Sequence, residues 1–439
     1  MTLIDRILDL ALLPARELPT PALAMARFSL FDWLVCGRAG ITEPLAGKLR
    51  QLAEEEGGRG TASVFGGAPA PARMAALVNG ATSHALDYDD THFGHIGHTS
   101  VGIYPAALAA GETVGASAEA VVEAFLVGAE ASVRIGMALG SVHYNRGFHQ
   151  TATAGAFGAA IAAGRLFGLT RDEMRVAIGL CATRASGLKS QFGTMGKPYN
   201  AGIAAANGVE CARLAALGFT SADDGLMNAQ GFIPTHSDAP DPDAGWEAPP
   251  PQTFLFEDIK YKLHACCHGT HAMIEALRTL RADEGIGIGD VAAMVLRTNP
   301  RWLSVCDIKA PRTGLEVKFS YNWLAGMVLD GRDTARDDTY TDALAADPQL
   351  AVFADRITVD GDPALSDMQA EGLLQLTDGR SLAVSHDLAR RLGEEELAAG
   401  LAAKAAALLG AEGDRLRQAV ETLDRLTAAD LGALVGAPA

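Results

Sequence analysis

Basic residues are in deficit in this 439-residue chain: 36 Lys and Arg stand against 53 Asp and Glu, a net charge of −17. A surface this acidic repels phosphate backbones, so no nucleic-acid partner is expected, and an anionic ligand would need a local basic pocket set against the global field. The six cysteines include no CxxC, and Cys266 and Cys267 are adjacent, a poor geometry for a structural bridge. Reduced thiols in a cytoplasm fit that usage. No run of eighteen apolar residues occurs, and the best candidate, 151–169, is rich in Ala, Gly and Thr and carries Arg165. The opening MTLIDRILDLALLPARELP sets Asp5 and Asp9 into an apolar stripe, which does not fit a secretory signal. A soluble cytoplasmic protein without a membrane partner is expected. Also missing are a GxGxxG opening a βαβ unit, a P-loop and a GxSxG elbow, so nucleotide cofactors and a serine hydrolase are disfavoured.

A hydrophobic content of 49% is enough to bury a large core, and the length favours two domains over one. The first 230 residues read as helix after helix. Pro21 and Pro44 open helices over 22–39 and 45–55, Ser117 can cap one running to about 139, and Thr170-Arg171-Asp172-Glu173 is a capping box. Glu130 and Arg134 form a pair at favourable helical spacing. Small residues recur at helical spacing (Gly155, Gly158, Ala159, Ala162), so tight helix crossings are expected. Residues 234–252 are rich in Pro and Asp and read as a loop or linker. Beyond them the period turns toward two, with strands at Val291–Thr298 and Ile357–Val359 and a hairpin at Leu373–Val384 around Asp378-Gly379. From 387 onward the pattern is helical again. The expected fold is mainly α with an inserted α+β domain: a large all-helical domain built from both chain ends, 1–254 and 389–439, plus a smaller α+β lid domain over 255–388.

Reactive groups concentrate in residues 79–105, NGATSHALDYDDTHFGHIGHTSVGIYP. Asp87, Asp89, Asp90, His84, His92, His95 and His98 crowd together in surroundings that are mostly Ala, Gly and Leu. If the helical pattern of 72–86 continues through Thr91, then His84, Asp87 and Thr91 share one face. Gly94 and Gly97 then force a loop. A carboxylate, a hydroxyl and an imidazole meeting there suit proton transfer or small-anion binding; a polar, solvated helix end is the alternative reading.

Three further places carry candidates. His149 stands just ahead of a small-residue helix, where it could meet the first-turn N–H groups or simply cap and pack. Lys197 directly precedes a Pro at a helix start, adding a cation to the positive end of the dipole, unless it is an ordinary surface lysine. Residues 259–271, IKYKLHACCHGTH, gather Lys260, Lys262, His264, His268 and His271 at the join of the expected domains, as a ligand site or a solvated basic hinge. The His92, His95 and His98 spacing of three invites a metal, but glycines at 94 and 97 break any helix that would align them, and HxxHxxH matches no standard zinc pattern.

Taken together these blocks resemble the MmgE/PrpD family, which includes 2-methylcitrate dehydratases, cis-aconitate decarboxylases and iminodisuccinate epimerases. The resemblance runs from Asp32-Trp33-Leu34-Val35-Cys36-Gly37 through HALDYDDTH, GFHQTATAGAFGAA, GTMGKPYNAG and IKYKLHACCHGTH to Val328-Leu329-Asp330-Gly331. It implies a homodimer and acid–base chemistry with no metal and no organic cofactor. It also implies catalytic positions at Asp87, Thr91, His98 and His149, with Lys197 and Lys262 binding substrate carboxylates; His268 and His271 are added as substrate-binding candidates. Dehydratases proper usually carry Arg-Trp-Leu-Asp where this chain has His84-Ala85-Leu86-Asp87, so the block looks more like the decarboxylase and epimerase branches. The expected activity is that of a lyase, a decarboxylase or hydro-lyase, on a small di- or tricarboxylate resembling cis-aconitate or methylcitrate. An epimerase of an iminodisuccinate-like dicarboxylate and a non-catalytic metabolite-binding dimer are the alternatives. Which histidine is acid and which base does not follow from sequence.

Overall fold

A computed structural model describes residues 1–436. It divides into two compact units: Met1–Tyr261 together with the chain from Leu409 onward, and Lys262–Leu408. The architecture is mainly α with a small mixed sheet, as the alternation of periods predicts. The division falls elsewhere than expected, since 255–261 belong to the first unit and 389–408 to the second. The Glu394–Leu409 helix explains the second shift: it buries Leu397 and Leu401, and its Gly400 sits against the Leu263 side chain. Composition marks that segment as helical, but not which core its apolar face covers.

In the first unit the helix starts follow the capping chemistry. Ser117 accepts the Ala120 N–H at 3.1 Å, and Thr170 with Glu173 closes a reciprocal capping box. Pro sits in the first turn of both Thr20–Ala39 and Pro44–Glu56. The Ala118–Arg146 helix breaks at Gly140 (φ 68°), next to its expected end. Among the described residues it alone is long and apolar enough to cross a membrane, and 78% of that apolar stretch is buried inside the protein, as in a core helix. A short hairpin, β1 (Ala62–Val64) with β2 (Gly67–Ala70), interrupts the run of helices read over the first 230 residues.

Small residues set the helix crossings. A Cβ on Gly202 would overlap the Leu77 carbonyl, and one on Gly80 would lie 2.9 Å from Gly202 Cα, so Ala72–Ser83 and Gly196–Ala216 touch backbone to backbone. This contact brings the end of one helix close to the start of the other, which places their terminal side chains together.

The Pro/Asp-rich stretch is pinned rather than free. Arg134, fully buried, pairs with Glu130 at 2.6 Å and donates to the carbonyls of Gly245, Ala248 and Thr253. Its guanidinium lies 4.4 Å from the Trp246 ring, and the second Glu130 oxygen accepts the Phe256 N–H at 2.8 Å. The buried ion pair is therefore satisfied by several partners, the condition under which burying charge is tolerable.

The second unit carries a four-stranded sheet of order β4-β3-β5-β6, with β3 Val291–Thr298, β4 Ile357–Gly361, β5 Gln369–Leu376 and β6 Ser381–Asp387. β3 runs parallel to β4 and antiparallel to β5, and the Asp378-Gly379 turn joins β5 to β6. One face of β3 (Val291, Met294, Leu296, Thr298) is buried, and the His271–Glu284 helix buries Met273, Ile274 and Leu277.

Candidate active site

Three helix termini of the first unit supply the site. The Ala72–Ser83 helix stops earlier than expected: His84 is its C-cap, and Asp87 adopts a left-handed backbone at φ 51°. The helix does not continue through Thr91, so His84, Asp87 and Thr91 are not aligned by helical spacing. The loop instead folds back on itself. Thr91 exchanges backbone hydrogen bonds with Lys260, each at 2.8 Å, and His92 pairs with Gly97. Left-handed backbone costs an L-residue roughly 1–2 kcal/mol and is best tolerated by Asn and Asp.

The carboxylates and imidazoles form a connected cluster. Asp89 is fully buried; its Oδ1 lies 2.8 Å from His84 Nδ1 and its Oδ2 2.7 Å from His98 Nδ1, the second contact approached off the ideal hydrogen-bond line. His98 Nε2 is 3.4 Å from Asp87 Oδ1, and Asp87 Oδ2 is 2.5 Å from Lys197 Nζ. His98 thus has a carboxylate at each ring nitrogen, an arrangement that stabilises the imidazolium. Its backbone N–H donates to Thr151 Oγ1 at 3.0 Å, tying the loop to the Gln150–Leu166 helix.

His149 is the N-cap residue of that helix, but its side chain makes no capping bond. Asn200 Nδ2 lies 3.2 Å from His149 Nδ1 and 3.3 Å from the Leu188 carbonyl. The carbonyl fixes the amide orientation, so Asn200 donates to Nδ1 and a neutral His149 carries its proton on Nε2. Burial, followed by the charges of His84 and Lys197, holds His149 well below the ordinary histidine value. The ring edges onto Phe192 at 5.0 Å, and Lys197 lies 5.2 Å from the same ring.

Asp90 faces away from this cluster. It accepts from Ser100 Oγ at 2.5 Å, Ser29 Oγ at 2.9 Å and the Ser100 N–H at 3.2 Å, anchoring the Ser100–Val114 helix directly after His98. Burial and then the Asp32 charge push its carboxyl up to about 7.

The three spaced histidines have separate fates. His92 Nε2 bonds the Leu255 carbonyl at 2.8 Å, while His95 is packed against Gly97 and Gly136 with burial driving it down to about 3. Among the described residues the one grouping able to hold a metal is His84, Asp87, Asp89 and His98, whose ligand atoms lie within 4.8 Å of one another. Both Asp89 oxygens are engaged by imidazoles, and Asp87 by His98 and a lysine, so each carboxylate oxygen of the donor set already has a side-chain partner.

The structure therefore brings Asp87, His98, His149 and Lys197 together. Of the remaining candidates, Thr91 is held through its backbone, and Lys262, His268 and His271 are buried residues of the second unit. There His264 is engaged at both nitrogens, by Thr334 at 2.7 Å and Glu275 at 2.6 Å. Burial, then His268 and His264, lowers His271 well below its usual value, and its ring lies 4.7 Å from that of His268. Sequence reasoning left Asp89 and Asn200 without roles. Asp89 stood in the crowded stretch, but nothing in its spacing says that it joins two imidazoles; Asn200 carried no signal.

Fold and site together define a two-unit helical protein with a buried acid–base cluster at converging helix ends. The MmgE/PrpD N-terminal domain family matches residues 10–244 and the MmgE/PrpD C-terminal domain family residues 264–425; the chain belongs to the MmgE/PrpD family. A cis-aconitate decarboxylase of Aspergillus terreus is 32% identical over 283 residues, covering 60% of this chain and 57% of the relative. The cis-aconitate decarboxylase-like protein oryM of Aspergillus oryzae is 29% identical over 60% of this chain and 58% of its own length. The Homo sapiens cis-aconitate decarboxylase is 31% identical over 37% of this chain and 34% of the relative. The chain thus spans less than two thirds of the length of these curated relatives.

Proposed function

We propose that this protein is a lyase that breaks a bond next to a carboxylate of a small di- or tricarboxylic acid, of the cis-aconitate or methylcitrate kind, using side chains alone. The observation that carries the reading is His98 set between Asp89 and Asp87, with Lys197 beyond Asp87 and a neutral His149 near by. Loss of CO₂ from such an acid leaves its electron pair on carbon. Lys197 supplies a fixed cation for a substrate carboxylate, and the His149 Nε2–H donates to oxygen as negative charge develops there. His98, held as an imidazolium by two carboxylates, delivers the Nε2 proton to the carbon and is left neutral with Nδ1–H still on Asp89. This gives His98 the acid's part and His149 a donor's part, so environment separates two like side chains. Lys262 is proposed as a second carboxylate-binding cation, and a homodimer as the working assembly. The relatives' names support decarboxylation over dehydration, and the HALDYDD block points the same way.

The test is a panel of polycarboxylates incubated in D₂O and followed by NMR. A decarboxylated product carrying one deuterium at the protonated carbon is expected. Deuterium appearing in an unchanged or inverted substrate would replace the reading by an epimerase. No product and no exchange with any acid that binds would leave a metabolite-binding protein.

A further inference from the structure

The cluster contains one imidazole to which the proposed reaction gives no part. His84 ends the Ala72–Ser83 helix, and its side chain is 0% exposed, as is that of Asp89, whereas His98 is 9%, Lys197 17% and Asp87 33% exposed. Accessibility therefore falls steadily from Asp87 through His98 to Asp89 and His84, and His84 lies behind the groups a substrate would meet.

Among the described residues its side chain bonds Asp89 Oδ1 through Nδ1, and Nε2 meets no hydrogen-bond partner there. Asp89 is held ionised: burial works to raise its carboxyl, but the charges and hydrogen bonds of His84 and His98 outweigh it and lower it far below the usual range. An ionised carboxylate only accepts, so the proton in each contact belongs to the imidazole, on Nδ1 in both rings. The charged or titratable groups around the trio are Asp87 and Asp90 from the same loop, Lys197 from the Gly196–Ala216 helix and His149 from the start of Gln150–Leu166.

We propose that His84 is a positioning residue: by donating from Nδ1 to Asp89 Oδ1 it fixes the carboxylate whose other oxygen holds His98 by Nδ1, and so keeps His98 Nε2 as the working nitrogen. Two imidazoles sharing one acceptor is a more rigid arrangement than a lone carboxylate, which could rotate and release His98 to the other tautomer. The inference rests on the lyase reading only for its kinetic arm.

Two substitutions separate positioning from packing. Asn places its amide N–H where His84 has Nδ1, and so keeps the donor; Phe keeps the ring and loses it. His84→Phe is expected to lower kcat about 10–100-fold, the usual cost of losing the partner that orients a functional histidine, with KM within about two-fold. His84→Asn should restore most of that loss. The second measurement needs no substrate: ¹⁵N spectra of histidine-labelled protein, taken through a pH titration to the point where His98 has given up one proton, should show the neutral ring protonated on Nδ1 in the parent and in His84→Asn, and a mixture of tautomers in His84→Phe. An unchanged His98 spectrum in His84→Phe overturns the proposal, as does a His84→Asn variant no more active than His84→Phe, which would make Nε2 the atom that matters. If the parent turns over no carboxylic acid, the lyase reading fails and the tautomer measurement still decides the part assigned to His84. Circular dichroism confirms that each variant folds.

Discussion

Lys197 Nζ lies 2.5 Å from Asp87 Oδ2, and Asp87 reaches it from a left-handed backbone at φ 51°. The strained residue and the lysine are thus one device: the conformation that an L-residue resists turns a carboxylate toward both Lys197 and His98. Asp87→Asn keeps a side chain that tolerates this backbone and removes the charge. It should melt like the parent while kcat/KM falls about 10–100-fold, the worth of a charge-assisted contact. Asp87→Ala should lose activity and also about 1 kcal/mol of stability, since alanine resists the left-handed region. Full activity in Asp87→Asn would show that the charge is not used.

His98→Gln should fold, still bind a polycarboxylate inhibitor, and lose about 10²–10⁴ in the chemical step, the range for a positioned acid. His92→Gln and His95→Gln should do the reverse. Each is buried, one bonded to the Leu255 carbonyl and one packed on Gly136, so their replacement should lower the melting temperature and leave the turnover of folded protein near that of the parent. A stable but inactive His92→Gln would move the proton path to the wrong histidine. Turnover, inhibitor affinity and thermal melts on the three variants decide this.

Much of the fold was legible because its signals are local. Thr170 and Glu173 announce a helix start, Asp378-Gly379 a hairpin, and the change of period after 252 a second kind of core. The site was legible as a composition, crowded with Asp and His, and its geometry was not. Helical spacing suggested that His84, Asp87 and Thr91 share a face, yet the left-handed turn at Asp87 ends that alignment. What unites Asp87 with Lys197, 110 positions away, is the backbone contact at Gly80 and Gly202. Such long-range contacts have no period to read. The place of the Glu394–Leu409 helix failed to show for the same reason: an apolar face does not name its partner.

Lys262 is 3% exposed and sits at the start of the second unit. If it binds a substrate carboxylate, Lys262→Ala should cost about ten- to a hundred-fold in kcat/KM, with a smaller effect on stability. Unchanged kinetics with a lowered melting temperature would make it structural. Lys262→Arg keeps the charge but not the point geometry, and should recover only part of the loss.

Exhaustive chelation should leave turnover intact, because in the only donor group able to gather an ion among the described residues each carboxylate oxygen is already engaged by Lys197 or an imidazole. Activity lost to a chelator and restored by one particular metal would turn His84, Asp87, Asp89 and His98 into ligands and undo the acid–base assignment.

Asp90 gives the pH dependence of stability an unusual sign. Its carboxyl is pushed up to about 7 from an ordinary 3.8, by burial and then by Asp32, so between these values the native protein binds more protons than the unfolded chain. The stability this contributes is complete below the unfolded value and is lost as pH rises through about 7, the opposite of a salt-bridged aspartate. The loss has an upper bound on the order of a few kcal/mol, reduced by whatever relaxation the site allows. Asp90→Asn holds the neutral form permanently and still offers an oxygen to the Ser100 N–H, so the start of the Ser100–Val114 helix stays anchored. The variant should match the parent only near pH 3.5, gain on it steadily as pH rises from there to about 7, and keep a constant excess at pH 8. Urea denaturation at four pH values on both proteins measures this, and the difference between the two profiles cancels the other titrating groups. Parallel profiles would show that Asp90 ionises freely in the folded state, stabilised by its serine hydroxyls strongly enough to outweigh burial beside Asp32 and Asp89.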